Sequence, residues 1–318
     1  MTSTVIVTGS SGYIGGQTAL QLKDQGYRVL GVDIRPTPDN LKGAFDIVAQ
    51  TDFASAAGID FITTHTADAV IHCAGTSLVG PSVRDPELYY ENNFVRTKKL
   101  CDAIVHRKLT DMRIIFSSSA SVYGEPIMTP CNEVDPPLPV SPYGESKLMI
   151  EMMMQSYFRA YGLQPVMFRY FNACGADPQA RHGQAPGATH IIARVLESLR
   201  DDQDFTLYGD QYPTADGTCV RDYIHVADIA NAHIRALFDD MPTGVYNLGS
   251  SAGTSNYEII RTAEEITGRK LKLNIDTPRA GDPAVLTASS DRFDSVAERW
   301  RQHDLRSMIK DAWAWYNQ

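Results

Sequence analysis

A β-branched run that breaks into evenly spaced glycines constrains this chain more than any other feature. Val5-Ile6-Val7 leads into Thr8-Gly9-Ser10-Ser11-Gly12-Tyr13-Ile14-Gly15, and a helical pattern runs from about Gly12 to Gln25. A strand, a G-x-x-G-x-x-G turn and a helix make the opening of a dinucleotide-binding unit. The first glycine permits the tight turn, the second lets backbone approach a pyrophosphate, and the third lets the helix pack on the sheet. The helix N-terminus then offers free N–H groups and the positive end of its dipole to an anion. A glycine-rich turn with no ligand has the same spacing, so the loop does not decide function alone.

The following segments extend the pattern. Arg28–Val32, Ala69–Ile71, Ile114–Phe116 and Val166–Phe168 read as short strands, with helical stretches after Pro86 and from about Pro142 to Tyr161. Apolar runs alternating with helices of this length predict a doubly wound parallel sheet, an α/β fold. Composition shifts near residue 173, where Gly, Pro, Ala and His become frequent up to 190. This predicts a dinucleotide-binding domain over 1–172, with return segments near 221–250. A smaller, mainly substrate-binding α/β domain is expected over 173–318. Helices are expected near 191–200, 226–238, 257–267 and 305–316, with a strand at Phe205–Tyr208.

Charge excludes other classes. The 318 residues hold 29 Lys+Arg against 38 Asp+Glu, a net of −9, which lacks the basic footprint of a nucleic-acid or anionic-membrane binder. No stretch reaches the roughly 18 apolar residues of a membrane span. The opening segment lacks the basic region of a signal peptide, and its glycines interrupt any apolar run. The cysteines at 73, 101, 131, 174 and 219 show no C-x-x-C spacing. This predicts a reducing, cytoplasmic setting and no metal centre.

Asp33 ends the second strand, close to the roughly 20-residue interval after the glycines expected of a ribose-binding carboxylate. A carboxylate there accepts from the adenosine 2′-OH and repels a 2′-phosphate, which favours NAD over NADP; nearby Arg35 works against that repulsion. Asp52 and Phe53, after a third strand candidate, are placed to reach the adenine. Tyr143 and Lys147 stand at i and i+4 on a predicted helix and so share one face. A nearby cation favours phenolate over phenol, which would fit Tyr143 for general-base work. Ser119 follows the strand around Phe116, at the carboxyl edge where open α/β sheets bind ligands. Each element has a bland alternative as a solvated acid, a polar turn or a surface helix. Their conjunction in this order is what carries weight.

The same residues carry a family resemblance. T-G-x-x-G-x-x-G from Thr8, H-x-A-G from His72, S-S-S-A-x-V-Y-G from Ser117 and Y-x-x-x-K from Tyr143 resemble an extended short-chain dehydrogenase/reductase. Ser141–Glu151, Arg169–Asn172, Tyr208–Val226, Tyr246–Gly249 and Arg279–Asp282 resemble, more narrowly, the UDP-glucose (UDP-galactose) 4-epimerases. Ala120-Ser121 stands where a related dehydratase carries Asp-Glu, which argues against dehydration.

The resemblance implies an NAD-dependent isomerase acting on a UDP-sugar as a homodimer. It implies Ser119, Tyr143 and Lys147 as catalytic residues. Gly9, Gly12, Tyr13, Ile14, Gly15 and Asp33 would contact the cofactor, as would Asp52, Phe53, Ala74, Gly75, Asn92 and Phe171, together with Tyr143 and Lys147. Ser119 and Tyr143 would meet the sugar. Asn172, His190, Arg221 and Arg279 would hold the UDP, with Asp282 at its ribose and Leu207 and Tyr208 near the uracil. Ser77 departs from a lysine frequent near the pyrophosphate, and His190 from a frequent asparagine. Val285 stands where a larger aromatic restricts some members to non-acetylated sugars, so UDP-N-acetylhexosamines are expected to fit. Another NDP-sugar epimerase or reductase, or a non-catalytic NAD-binding regulator, are the alternatives.

Overall fold

The computed structural model describes residues 3–278 and 283–318. In chain order it begins β1 (Thr4–Thr8), α1 (Tyr13–Asp24), β2 (Arg28–Asp33), β3 (Ile47–Gln50), α2 (Ala56–Thr64), β4 (Ala69–His72), α3 (Val79–Arg84), α4 (Pro86–Tyr89) and α5 (Arg96–His106). Then come β5 (Arg113–Ser119), α6 (Pro142–Tyr161), β6 (Gln164–Tyr170), β7 (Asn172–Cys174), α7 (Ile191–Asp201), β8 (Asp204–Tyr208), β9 (Val220–His225), α8 (Val226–Arg235) and β10 (Gly244–Leu248). The chain ends with β11 (Gly253–Ser255), α9 (Asn256–Thr267), β12 (Lys272–Asp276), β13 (Val285–Leu286), α10 (Asp291–Asp294) and α11 (Leu305–Tyr316). No helix of the described residues is long and apolar enough to cross a membrane.

Two compact units form: 1–124, 133–170 and 230–247 make the first, and 125–132, 171–229 and 248–318 the second. The first holds a seven-stranded sheet in the order β10-β6-β5-β4-β1-β2-β3. From β6 to β3 the adjoining strands pair in parallel. This is the doubly wound, Rossmann-type α/β fold that the alternation predicts. β1 and β4 are buried along their whole length, which explains the apolar runs Val5–Val7 and Ala69–Ile71 within them. β1 runs out into Gly9, β2 ends at Asp33 and β5 ends at Ser119, so all three groups stand at the carboxyl edge.

The helical stretch after Pro86 is not continuous. Tyr90–Val95 forms a π-helical turn between α4 and α5. There Asn93 is buried; its Oδ1 accepts from the Thr76 backbone at 2.7 Å, and its Nδ2 donates to the Thr76 carbonyl and the Ser146 hydroxyl, each at 3.0 Å. The turn therefore fastens the loop after β4 to α6.

In the second unit β9 pairs with β7 and β13 in parallel and with β11 antiparallel, while β8 pairs with β12. Ile192, Val195, Leu196 and Leu199 repeat at helical spacing along α7 and join Phe205 and Leu207 in the core. Arg221 and Asp222 interrupt the apolar run of β9, so the sequence does not read as a strand there. The buried Asp222 carboxylate accepts from the backbone of Ser250 at 2.6 Å, Ala288 at 3.0 Å and Ser251 at 3.1 Å. Burial pushes its pKa up in spite of those bonds.

Two histidines of the first unit set a pH response. His72 lies between the Thr8 and Thr97 hydroxyls at 2.6 and 2.9 Å, and His233 between Thr18 and Tyr170. Burial pushes both down to about 3. The unfolded chain protonates them near 6.5, so their stabilisation is present above that pH and lost as pH falls toward about 3. His303, raised by its bond to Asp228, and Asp222, raised by burial, act in the opposite sense, while His190 and His225, lowered by burial, add to the response. Urea unfolding should weaken by roughly 1.4 kcal/mol per pH unit for each of the two below pH 6. A flat response between pH 7 and 5.5 would contradict neutral burial.

Candidate active site

The glycine loop is shaped by contacts a side chain would break. Gly9 adopts φ +68°, and a Cβ there would lie 2.7 Å from the Ala74 nitrogen. At Gly15 a Cβ would lie 2.3 Å from the Gly9 carbonyl oxygen. Gly12 caps α1, and its N–H donates to that same oxygen at 3.0 Å. Tyr13 and Ile14 open the helix beside it. The result is a close backbone cradle at a helix N-terminus, suited to a pyrophosphate.

Asp33 is nearly buried. Its Oδ2 accepts from Ser11 N–H and its Oδ1 from Arg35 N–H, both at 2.9 Å, and Arg35 Nε approaches to 3.4 Å. A carboxylate so held keeps lone pairs for a ribose hydroxyl. Asp52 accepts from Ala54 N–H at 2.9 Å and pairs with Arg96 at 3.0 Å. Phe53 packs into the core, edge-on to His72 with centroids 4.8 Å apart. The Ala74 N–H donates to the Thr8 hydroxyl at 3.3 Å. Gly75 follows at φ +157°, with space for a Cβ closed by the Asn93 amide at 2.9 Å. Asn92 donates to the Thr76 hydroxyl at 2.9 Å. Ser77 accepts, through its carbonyl, the Tyr89 hydroxyl at 2.8 Å.

The reactive trio of the sequence comes together in the first unit. Ser141 caps α6, its hydroxyl accepting from Gly144 N–H at 3.2 Å, and Pro142 starts the helix. One turn along, the Lys147 ammonium sits 5.8 Å from the Tyr143 ring centroid. It donates to the Ser117 carbonyl at 2.8 Å, and burial lowers it to about 8. Ser119 and Tyr143 share a hydrogen bond. The expected depression of Tyr143 is not present in the chain by itself. Burial pushes the phenol up, the Ser119 bond pulls it partly back, and Tyr89 adds to the rise. Lys147 spends its nearest bond on Ser117, so desolvation outweighs it.

Sequence reading passed over the residues that hold this trio. Asn93, Ser146, Ser117 and Tyr89 fix its loops, and only Asn93, a polar residue at a position facing the core, leaves a trace in the sequence.

The second unit holds a cavity of about 240 Å³ lined by Asn172, His190, Leu207, Tyr208 and Arg221, together with Arg194. Asn172 reaches it from β7, donating to the Asp222 carbonyl at 2.7 Å. His190 is the N-cap residue of α7. Phe171 is buried, its N–H donating to the Leu248 carbonyl at 3.0 Å. Val285 pairs with Val220 in the β13–β9 register. Arg279 and Asp282 lie outside the described residues.

Residues 5–249 match the NAD dependent epimerase/dehydratase family, and the chain belongs to it. Its similarity is closer still to particular members. UDP-glucose 4-epimerase of Halalkalibacterium halodurans is 42% identical, over 99% of this chain and 96% of that protein. Among solved structures, UDP-glucose-4-epimerase from Stenotrophomonas maltophila, with bound NAD and formylated UDP-arabinopyranose, superposes with a TM-score of 0.93 at 31% identity, covering 99% of this chain and 98% of that one. The UDP-Glc/GlcNAc 4-epimerase of Campylobacter jejuni gives 0.86 at 31%, covering 99% of each.

Proposed function

We propose that this protein interconverts UDP-hexoses at C4, with NAD as its resident cofactor. The observation that carries the reading is Tyr143 bonded to Ser119, with the Lys147 ammonium over its ring, in the unit that also bears the glycine cradle and Asp33. The cradle fits NAD: a Cβ at Gly9 or Gly15 would strike backbone, and Asp33 stands ready for a ribose hydroxyl. The half-buried Asp52 and Asn92 flank the adenine and ribose side in this reading, and Ala74, Gly75 and Phe171 complete the contacts.

Bound NAD would supply the hydride acceptor for C4 and the donor that restores it on the opposite face. Tyr143 accepts the O4 proton at its phenolate oxygen and later gives it back. The positive charge of an oxidised cofactor would favour that phenolate, offsetting the burial that raises the phenol. Ser119 donates to the same sugar oxygen and steadies the tyrosine. Lys147, pinned by the Ser117 carbonyl, holds the nicotinamide ribose. The 4-keto sugar turns about its link to the diphosphate between the two hydride steps. The nucleotide must stay anchored meanwhile, so binding energy concentrates there, on Asn172, His190, Arg221, Arg279 and Asp282. Leu207 and Tyr208 take the uracil.

Purified protein should convert UDP-galactose to UDP-glucose without net consumption of NADH. Failure with both UDP-hexoses and both UDP-N-acetylhexosamines would overturn the reading. UDP-N-acetylhexosamines belong within it, because Val285 is small and one structural relative is named a UDP-Glc/GlcNAc 4-epimerase. Gly15→Ala should retain at most about a tenth of the bound NAD, measured by release and chromatography, because α1 can no longer close on the loop. Full NAD content in that variant would contradict the cradle. A cytoplasmic homodimer belongs to the same proposal. Met149 and Met152, exposed one turn apart on α6, offer it an apolar face, and the five cysteines are free thiols. Sedimentation at twice the 35.1 kDa chain mass is the expected result.

A further inference from the structure

We propose that Arg194 reads the carbonyl edge of a uracil held in the cavity of the second unit, and so sets a preference for uracil over cytosine nucleotides. The inference rests on the reading that this cavity takes a UDP-sugar.

Arg194 is four residues beyond the N-cap His190, and its N–H donates to the His190 carbonyl at 3.0 Å. The two therefore share a face of α7, and both border the cavity. The Arg194 guanidinium lies over the Phe205 ring, 5.3 Å from its centroid. Stacking fixes the plane of the fork and leaves its edge donors directed away from the ring. Among the described residues no carboxylate lines the cavity, and no acceptor takes those donors. A planar donor with no protein acceptor, facing a cavity, is built for an acceptor on the ligand.

The lining is uneven along the helix. Thr189, His190 and Ile191, at the start of α7, line the cavity, and a helix start is the kind of place that suits phosphates. Arg194 stands one turn further along the helix, about 5.4 Å along the axis, over the buried Phe205, and buried Leu207 lines the same cavity. An apolar wall with one stacked guanidinium suits a flat base rather than a second anion. Uracil offers a carbonyl acceptor at C4, whereas cytosine places an amino donor there. Donor would then face donor, and the guanidinium edge would go unmatched.

The test is calorimetric titration of the NAD-loaded full chain with UDP and with CDP. Wild type should bind UDP roughly 10–100-fold tighter than CDP, the range of one charge-assisted hydrogen bond. Arg194→Gln should lose most of that preference by weakening UDP alone, with CDP held within about twofold. Arg194→Lys, which keeps the charge but not the fork, should retain part of it. Equal weakening of both nucleotides, or of neither, overturns the assignment. A wild type that binds neither overturns it together with the reading beneath it. A wild type that discriminates UDP from CDP by way of Arg194 yet epimerises nothing defeats the epimerase reading alone.

Discussion

Tyr143→Phe should fold, keep its NAD and lose between about a hundredfold and ten-thousandfold of its turnover. The substitution removes one oxygen and leaves the ring edge-on to Tyr89, at the present centroid separation of 6.3 Å, and within reach of Lys147. Packing is therefore preserved, while the group proposed to accept and return the O4 proton is gone. KM for the UDP-sugar should change little, since in the proposed reading the nucleotide is held by Asn172, His190 and Arg221 rather than by Tyr143. The discriminating measurement is kcat beside bound NAD and melting temperature. Unchanged turnover would remove Tyr143 from the chemistry. Loss of NAD along with turnover would mean that the ring is structural.

Arg169→Met should cost about 3–5 kcal/mol of stability, the usual result of leaving a buried charge without its partner. Arg169 and Glu151 are 4% and 1% exposed, and their closest approach is 2.7 Å. The guanidinium bonds both carboxylate oxygens through Nε and Nη2, and donates from Nη1 to the Tyr123 hydroxyl at 2.9 Å. Tyr123 in turn donates to Asn247 at 2.7 Å, and Ser118 donates to Glu151 at 2.5 Å. One ion pair thus ties β5, α6, β6 and β10 together directly beside Ser119. Urea unfolding should show the loss, and Glu151→Leu made together with Arg169→Met should recover much of it, because the orphaned charge disappears. A single variant as stable as wild type would show that Glu151 takes a proton or water at little cost.

Much of the first unit was legible because it obeys local rules. β1 with its three glycines, Asp33 at a strand end, and the i, i+4 spacing of Tyr143 and Lys147 depend on short stretches whose periods can be read directly. The π-helical turn at Tyr90–Val95 was not, since the helical pattern runs through it unchanged. β9 was hidden as well, because its charged Asp222 is tolerated only where distant backbone N–H groups of Ser250, Ser251 and Ala288 converge.

By itself the sequence determined the parallel sheet, the glycine turn and the shared helix face of Tyr143 and Lys147, since each follows from backbone sterics or from periodicity within one element. Only the tertiary structure decided their electrostatics and support. Burial raises Tyr143 where the lysine spacing alone predicts a lower value, and Lys147 turns to the carbonyl of Ser117. Arg194 stacks on Phe205 from another element. Desolvation and partners distant in the chain govern these properties, and neither has a period that a sequence can display.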